Sequence, residues 1–365
     1  MRFRFPRGRR RAWGLNHILG TGQSLAIGTS GTPVLSTTQP YANKMFSVPA
    51  NPLTLTSLNS LVESVEETMS SGMANLVTDL ADGIGVTHDA LVSVAGSGGS
   101  DYDTIKKGTA TYTAALAQIT AGLARAGELS KTYGVPCVTC VHGEADGNAG
   151  SLVYDADLIE WQADYEADIK AISGQTGAIP MLHSQMSAIA GNDVPLAQLR
   201  AHVARPGRII LVGPKYHLPD VDGSHLTNHG YRQLGEYYAK VIYRAILRGE
   251  RWEPVRPMTV SRAGAVVTVQ FHVPVAPLVF DTTLVPATTN QGFEWSGGGE
   301  TISSVAITAS DTVQVTLSAT PSPGGRIKYA QNASIRGNLR DSDTTESLNG
   351  YDLYNWCCHF DEVVS

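Results

Sequence analysis

Several features that would put this chain in a special class are scarce. Four cysteines in 365 residues are too few for a disulfide-stapled scaffold. Cys137 and Cys140 make one C-x-x-C in VPCVTCVHG, with no second pair to complete a zinc ribbon. That apolar run predicts a strand, on which residues three apart point to opposite faces. Cys357 and Cys358 are neighbours, whose pairing would be strained. Reduced or structural thiols are expected, and no metal site. No apolar run approaches the ~18 residues that cross a bilayer, so no membrane span is expected. Charged residues are only 16% and the formal charge is −6, which gives nucleic acid no basic surface to bind. The local exception is MRFRFPRGRRR, six arginines in eleven residues, read as a solvated N-terminal arm over residues 1–12. This basic start runs into AWGLNHILG without an apolar h-region, so the given stretch predicts no signal peptide. Secretion after loss of a leader stays open. No repeat recurs at a solenoid period.

Apolar residues make up 42%, enough for a substantial core. From Trp13 to Gly249 short apolar runs alternate with long amphipathic stretches. The runs are GLNHILG, ALVSVAG, VPCVTCVHG, GAIPMLHS and RIILVGP. Helical stretches are predicted over TLTSLNSLVESVEETMSSGMANLVTDLA, TATYTAALAQITAGLARAGELSKTYG, DLIEWQADYEADIKAIS, PLAQLRAHVAR and TNHGYRQLGEYYAKVIYRAILRG. In the second, Ala115, Ile119 and Leu123 recur at spacing four, an apolar stripe on one helix face. Strands alternating with helices imply a parallel sheet flanked by helices. The expected fold is a three-layer α/β domain over residues 13–250 with a five-stranded parallel sheet. Beyond RWEPVRPM the period changes to two in VVTVQFHV, PLVFDTTLV, ISSVAITAS and TVQVTLSAT. An all-β sandwich of roughly 100 residues is expected over 256–365.

In open parallel sheets, ligands bind beyond the carboxyl ends of the strands. Four motifs fall there. GTGQSLAIG, residues 20–28, follows the first run and carries Ser24. VAGSGGSDYD follows the second, VHGEADG the third, and DGSHLTNHG opens the last helix. A serine in a glycine-flanked loop is most often a helix cap. A nucleophilic serine needs a base, and the base needs an orienting group. Asp222 and His225, three apart around Gly223, can supply both: the carboxylate reaches Nδ1 and leaves Nε2 free for Ser24. Taken alone, Asp222 could equally cap the last helix, with His225 in its first turn. The α/β-hydrolase elbow is not matched, because Ala26 stands where G-x-S-x-G requires glycine.

Together and in this order, GQS, the GG loop, HGEAD and DxSHL resemble the SGNH (GDSL-like) hydrolase superfamily. The resemblance is to its carbohydrate-esterase branch, the sialate O-acetylesterases and acetyl-xylan esterases, and covers about residues 14–249. The C-terminal stretch GRIKYAQNASIRGNL is more weakly similar to the β-rich ends of such esterases. The resemblance implies Ser24 as nucleophile, His225 as general base and Asp222 as its orienter. It implies backbone oxyanion donors at Ser24 and Gly98, with Gly96 or Gly99 as alternatives to the latter. The family's third donor is a side-chain amide; here His142 stands in its place. Gln23, Glu144 and Asp146 match positions that support the loop or the substrate. No cofactor is implied.

The expected activity is therefore removal of O-acetyl or other short acyl groups from a carbohydrate. A lipid, thioester or general short-chain esterase of the same superfamily is one alternative, and a non-catalytic carbohydrate-binding or structural module another. The insertion TSGTPVLSTTQPYANKMFS is polar, and its Tyr41 suits sugar hydroxyls and ring stacking. An H-x-E-x-D metal site at His142, Glu144 and Asp146 lacks a further ligand. Thr227 is read as the cap of the last helix, which Asn228 and His229 begin. His183 and His217 are read as loop or strand-end residues lining the cleft.

Overall fold

The structure, a computed structural model, describes residues 12–186, 192–331 and 336–364. The expected basic arm lies outside the described residues apart from Ala12, as do residues 332–335 of the GRIKYAQNASIRGNL stretch.

The α/β part runs β1 (Leu15–Gly22), β2 (Lys44–Met45), β3 (Asn59–Ser60), α1 (Met69–Asp82), β4 (Ala90–Gly96), α2 (Tyr102–Ile105) and α3 (Ala110–Glu128). It continues with β5 (Tyr133–Gly134), β6 (Val138–Val141), α4 (Glu144–Ala149), α5 (Tyr154–Ser173), β7 (Met181–Gln185), α6 (Val194–Ala204), β8 (Ile209–Pro214) and α7 (Asn228–Val241). Five parallel neighbours, β4-β1-β6-β7-β8, form its centre. The full sheet has eight strands, not five, because the two-residue strands β2 and β3 extend the β4 edge and β5 pairs with the start of β1. Such short pairings leave no run of apolar residues in the sequence.

β1 is buried along its whole length, as a central parallel strand must be. Successive side chains leave on opposite faces. Ile18 joins the layer packed by α1 and α7, and Leu19 joins the layer packed by α3 and α5. Cys137 and Cys140 likewise fall in opposite layers, both buried and unpaired.

The first helical stretch is much shorter than its apolar spacing predicts. Residues 54–68 are mostly irregular, and α1 begins only at Met69, capped by the Thr68 side chain. Leu55 and Leu58 pack instead on a small cluster with Leu15, Phe46 and Leu91.

The C-terminal part holds β9 (Arg256–Ala263), β10 (Val266–His272), β11 (Val279–Phe280), β12 (Phe293–Ser296), β13 (Ile302–Ala309), β14 (Thr312–Leu317), β15 (Arg326–Tyr329), β16 (Leu339–Arg340) and β17 (Phe360–Val363). Separate antiparallel sheets of four strands (β13-β14-β10-β9), three (β12-β15-β17) and two (β11-β16) stand where a single sandwich is expected. Irregular segments rich in side-chain hydrogen bonds, such as the one around Asp341 and Asp343, divide them. One apolar core runs from α1 and α7 through Trp252 and Val255 to Phe271, Tyr329, Trp356 and Phe360. The C-terminal residues also hydrogen-bond to the sheet: the Gln185 amide at the end of β7 donates to the His359 carbonyl (3.0 Å) and accepts from the His359 N–H (2.8 Å).

Candidate active site

β1, β4 and β6 end in register, Gly22 opposite Gly96 and Val141. Gly22 has φ 137°, and a β-carbon on it would lie 2.2 Å from the Val141 carbonyl oxygen. Only glycine lets the chain turn there so close to β6. The turn that follows is wound tightly, Ala26 N–H on the Gln23 carbonyl (2.8 Å) and Thr29 N–H on the Ser24 carbonyl (3.1 Å). Ser24 is nearly buried, and its hydroxyl caps no helix but meets His225 Nε2 at 2.9 Å.

His225 comes from the loop between β8 and α7. Asp222 shapes that loop: Oδ1 accepts from the N–H groups of Ser224 (2.9 Å) and His225 (2.7 Å), while Oδ2 accepts from His225 Nδ1 at 2.8 Å. The carboxylate has no proton to give, so Nδ1 carries the hydrogen and Nε2 presents its lone pair to the Ser24 hydroxyl. The bond to the His225 side chain, with the two backbone donors, holds the Asp222 carboxyl down at about 2. Asp220 stiffens the loop by accepting the Gly223 N–H at 2.7 Å, and Arg336 of the C-terminal part pairs with its other oxygen at 2.9 Å. Thr227 caps α7 through the Gly230 N–H. Asn228 donates to the Pro33 carbonyl, and the His229 ring meets the Tyr351 hydroxyl.

The loop after β4 lies against Ser24. A β-carbon placed on Gly98 would be 3.9 Å from the Ser24 Cβ. The Gly96 N–H is already held by Asn51 Oδ1 (3.0 Å) and the Ser97 N–H by the Gly22 carbonyl (3.0 Å). Among the described residues, the N–H groups of Ser24 and Gly98 have no acceptor. Two neighbouring unpaired donors beside a serine hydroxyl can receive a developing oxyanion.

His142 is not arranged to join them. Its Nε2 donates to the Ser100 carbonyl (2.9 Å) and its Nδ1 accepts from the Tyr154 hydroxyl (2.7 Å). The ring stacks on Tyr154 and meets the edge of Trp161. Burial pushes it down to about 4, so it is neutral, and its one N–H is spent on Ser100.

Asp146 accepts the Tyr102 N–H at the start of α2, and burial raises its carboxyl to about 6. Glu144 pairs with Lys215 at 2.5 Å, both buried. Lys215 was not singled out from the sequence; the signal was a lysine directly after the apolar run RIILVGP, where a cation at a buried strand end needs a partner. Gln23 accepts the Ala145 N–H at 3.3 Å. With His142, Glu144 and Asp146 so occupied, the described residues contain no group of three His, Cys, Asp or Glu that could hold a metal ion.

The expectations for Tyr41 and His183 fail, and that for His217 holds in part, since it lies in the loop just after β8. Tyr41 donates to Asp79, and Asn43 beside it holds the Ala90 N–H at the start of β4, the sheet edge opposite Ser24. His183 lies inside β7 in the core. His217 stacks on Trp356 at 5.0 Å. Tyr41 and His217 are held by partners distant in sequence, and His183 by burial in a central strand, none of which spacing reveals.

Neither a protein-family model nor a curated protein sequence matches the chain. Among solved structures, a carbohydrate acetylesterase from Xanthomonas citri superposes with a TM-score of 0.62 at 14% identity, over 95% of this chain and 80% of that one. A protein from Arabidopsis thaliana gives 0.47 at 16% identity, over 63% of this chain and 99% of that one. NanS gives 0.43 at 14% identity, over 62% and 96%. The fold shared with the first extends through both the α/β part and the antiparallel sheets.

Proposed function

We propose that this chain is a serine esterase that removes acetyl or another short acyl group from a carbohydrate. The observation that carries the reading is the hydrogen-bonded series from the Ser24 hydroxyl through His225 to Asp222, with two unpaired N–H groups beside the serine. The fold common to the Xanthomonas citri carbohydrate acetylesterase supports the carbohydrate substrate class.

Ser24 Oγ attacks the ester carbonyl carbon as its proton passes to His225 Nε2. The carbonyl π pair moves to the oxygen, which becomes an anion facing the Ser24 and Gly98 N–H groups. Asp222 stabilises the imidazolium that forms. On collapse the bond to the sugar oxygen breaks, and that oxygen takes the proton from His225. Water, deprotonated by the same imidazole, then releases acetate and restores Ser24. Each good oxyanion donor contributes about 3 kcal/mol to such a transition state.

The first test is Ser24→Ala, expected to keep the melting temperature while turnover of an aryl acetate falls roughly 10³–10⁶-fold. A fluorophosphonate should label wild type at Ser24, and labelling should be lost in His225→Ala. Near-native turnover in Ser24→Ala ends the reading. Acetate release from acetylated polysaccharides, set beside turnover of p-nitrophenyl esters of increasing length, tests whether the acyl group is short and the alcohol a sugar.

A further inference from the structure

With His142 committed to Ser100 and Tyr154, the tetrahedral anion would have only backbone donors, those of Ser24 and of Gly98 or Gly99. We propose that the side-chain amide of Gln23 is the third, an assignment that rests on the esterase reading above. Four observations lead to it. Gln23 directly precedes Ser24, and its N–H is tied to Val141 at the end of β6. Its side chain is 4% exposed, so its rotamer is fixed by packing. Oε1 is engaged by the Ala145 N–H at 3.3 Å, which fixes the flip of the amide and leaves Nε2 at the other corner. Among the described residues Nε2 has no acceptor, yet it is not one of the atoms sealed from solvent without a partner. A donor on an immobile, nearly buried side chain of the residue next to the nucleophile, not sealed from solvent, is the pre-organised kind that oxyanion stabilisation requires. The Ala145 N–H on Oε1 polarises the amide and strengthens Nε2 as a donor. The amide thus reaches the anion from the β1 loop, while its oxygen rests on the segment after β6 that carries His142.

The test uses Gln23→Met, similar in shape without either polar atom, and Gln23→Glu, which keeps an acceptor for Ala145 but loses the donor. Wild type and both variants are compared on p-nitrophenyl acetate for kcat, KM and melting temperature. If Gln23 donates to the oxyanion, both variants lose roughly 10²–10³-fold in kcat with KM nearly unchanged. Gln23→Glu should show this loss of kcat at neutral pH, where His225 must stay unprotonated to act as base. If Gln23 only packs the turn, Gln23→Glu keeps native kcat and Gln23→Met loses stability instead; that result overturns the proposal and leaves the esterase reading standing. A wild-type protein that neither hydrolyses the ester nor is labelled at Ser24 overturns both.

Discussion

Replacing His142 by alanine removes a buried ring with two hydrogen bonds and two aromatic neighbours. The Tyr154 hydroxyl and the Ser100 carbonyl lose their partner in a dry site. Roughly 2–5 kcal/mol of stability should go with them. The expected signature is a lower urea midpoint with kcat changed less than 10-fold below the transition. A 10²-fold fall in kcat at unchanged stability would return His142 to the oxyanion hole. The contrast with Asp222 and His225 explains what was legible at this scale. Those two lie three residues apart in one turn, so the sequence carries their contact. His142 meets partners 12 and 42 residues away, and no spacing encodes that choice. The same holds for Lys215, whose Glu144 is 71 residues distant. The motif HGEAD was visible, but the direction of its side chains was not.

Among the elements, α1 and α7 approach most closely through glycines. A β-carbon on Gly235 would sit 2.2 Å from the Met69 carbonyl oxygen, and one on Gly72 2.4 Å from that of Arg232. The obstructing atoms are backbone, so the helices must separate to admit a methyl group. Gly235→Ala should therefore cost about 1–3 kcal/mol or more, the range for overpacking. Because α7 follows directly on the His225 loop, kcat should fall with stability; an unchanged melting temperature would mean the helices are not held at this spacing. The five central strands and the later helices were readable because burial imposes a period on them. Residues 54–68 were not, although Leu55, Leu58 and Leu61 recur at helical spacing. Glu67 decides the matter: its buried carboxylate accepts from the N–H groups of Leu35 (2.7 Å) and Ser36 (2.9 Å). That long-range anchor outweighs helix propensity, which is only a weak local preference. The C-terminal strands were legible as strands, but their division among three sheets depends on pairings that period two cannot assign.

The whole molecule carries an acid-sensitive load. Burial pushes His17, His183 and His217 down to about 3, and His88, His142 and His359 to about 4. In the unfolded chain each protonates near pH 6.5. Below that pH the unfolded state binds more protons than the folded one, so stability falls as pH drops from about 6.5 toward 4. Burial acts in the opposite sense on carboxyls, raising Glu63 to about 8 and Asp146 to about 6. Their folded forms hold protons that the unfolded forms release, so stability falls as pH rises through those values. Urea midpoints should accordingly peak near pH 6–7, with the acid limb the steeper, several kcal/mol per pH unit if most of the six histidines titrate together. Equal midpoints at pH 4.5 and 6.5 would contradict neutral burial of these rings.

The grip of His359 on Gln185 also has a consequence in time. During synthesis the sheet through β8 leaves the ribosome well before Phe271, Trp356 and Phe360, which complete the core that α1 and α7 begin. At roughly 5–20 residues per second, the His225 loop waits on the order of 7–30 seconds, and the nucleophile turn longer, for that apolar surface to be covered. The emerging chain is then open to aggregation, and a holding chaperone that binds exposed apolar segments would act in that interval. The contacts that join the α/β part to the C-terminal sheets thus make the site depend on synthesis reaching Trp356 and Phe360, so its yield in a cell should respond to elongation rate and chaperone supply as well as to equilibrium stability.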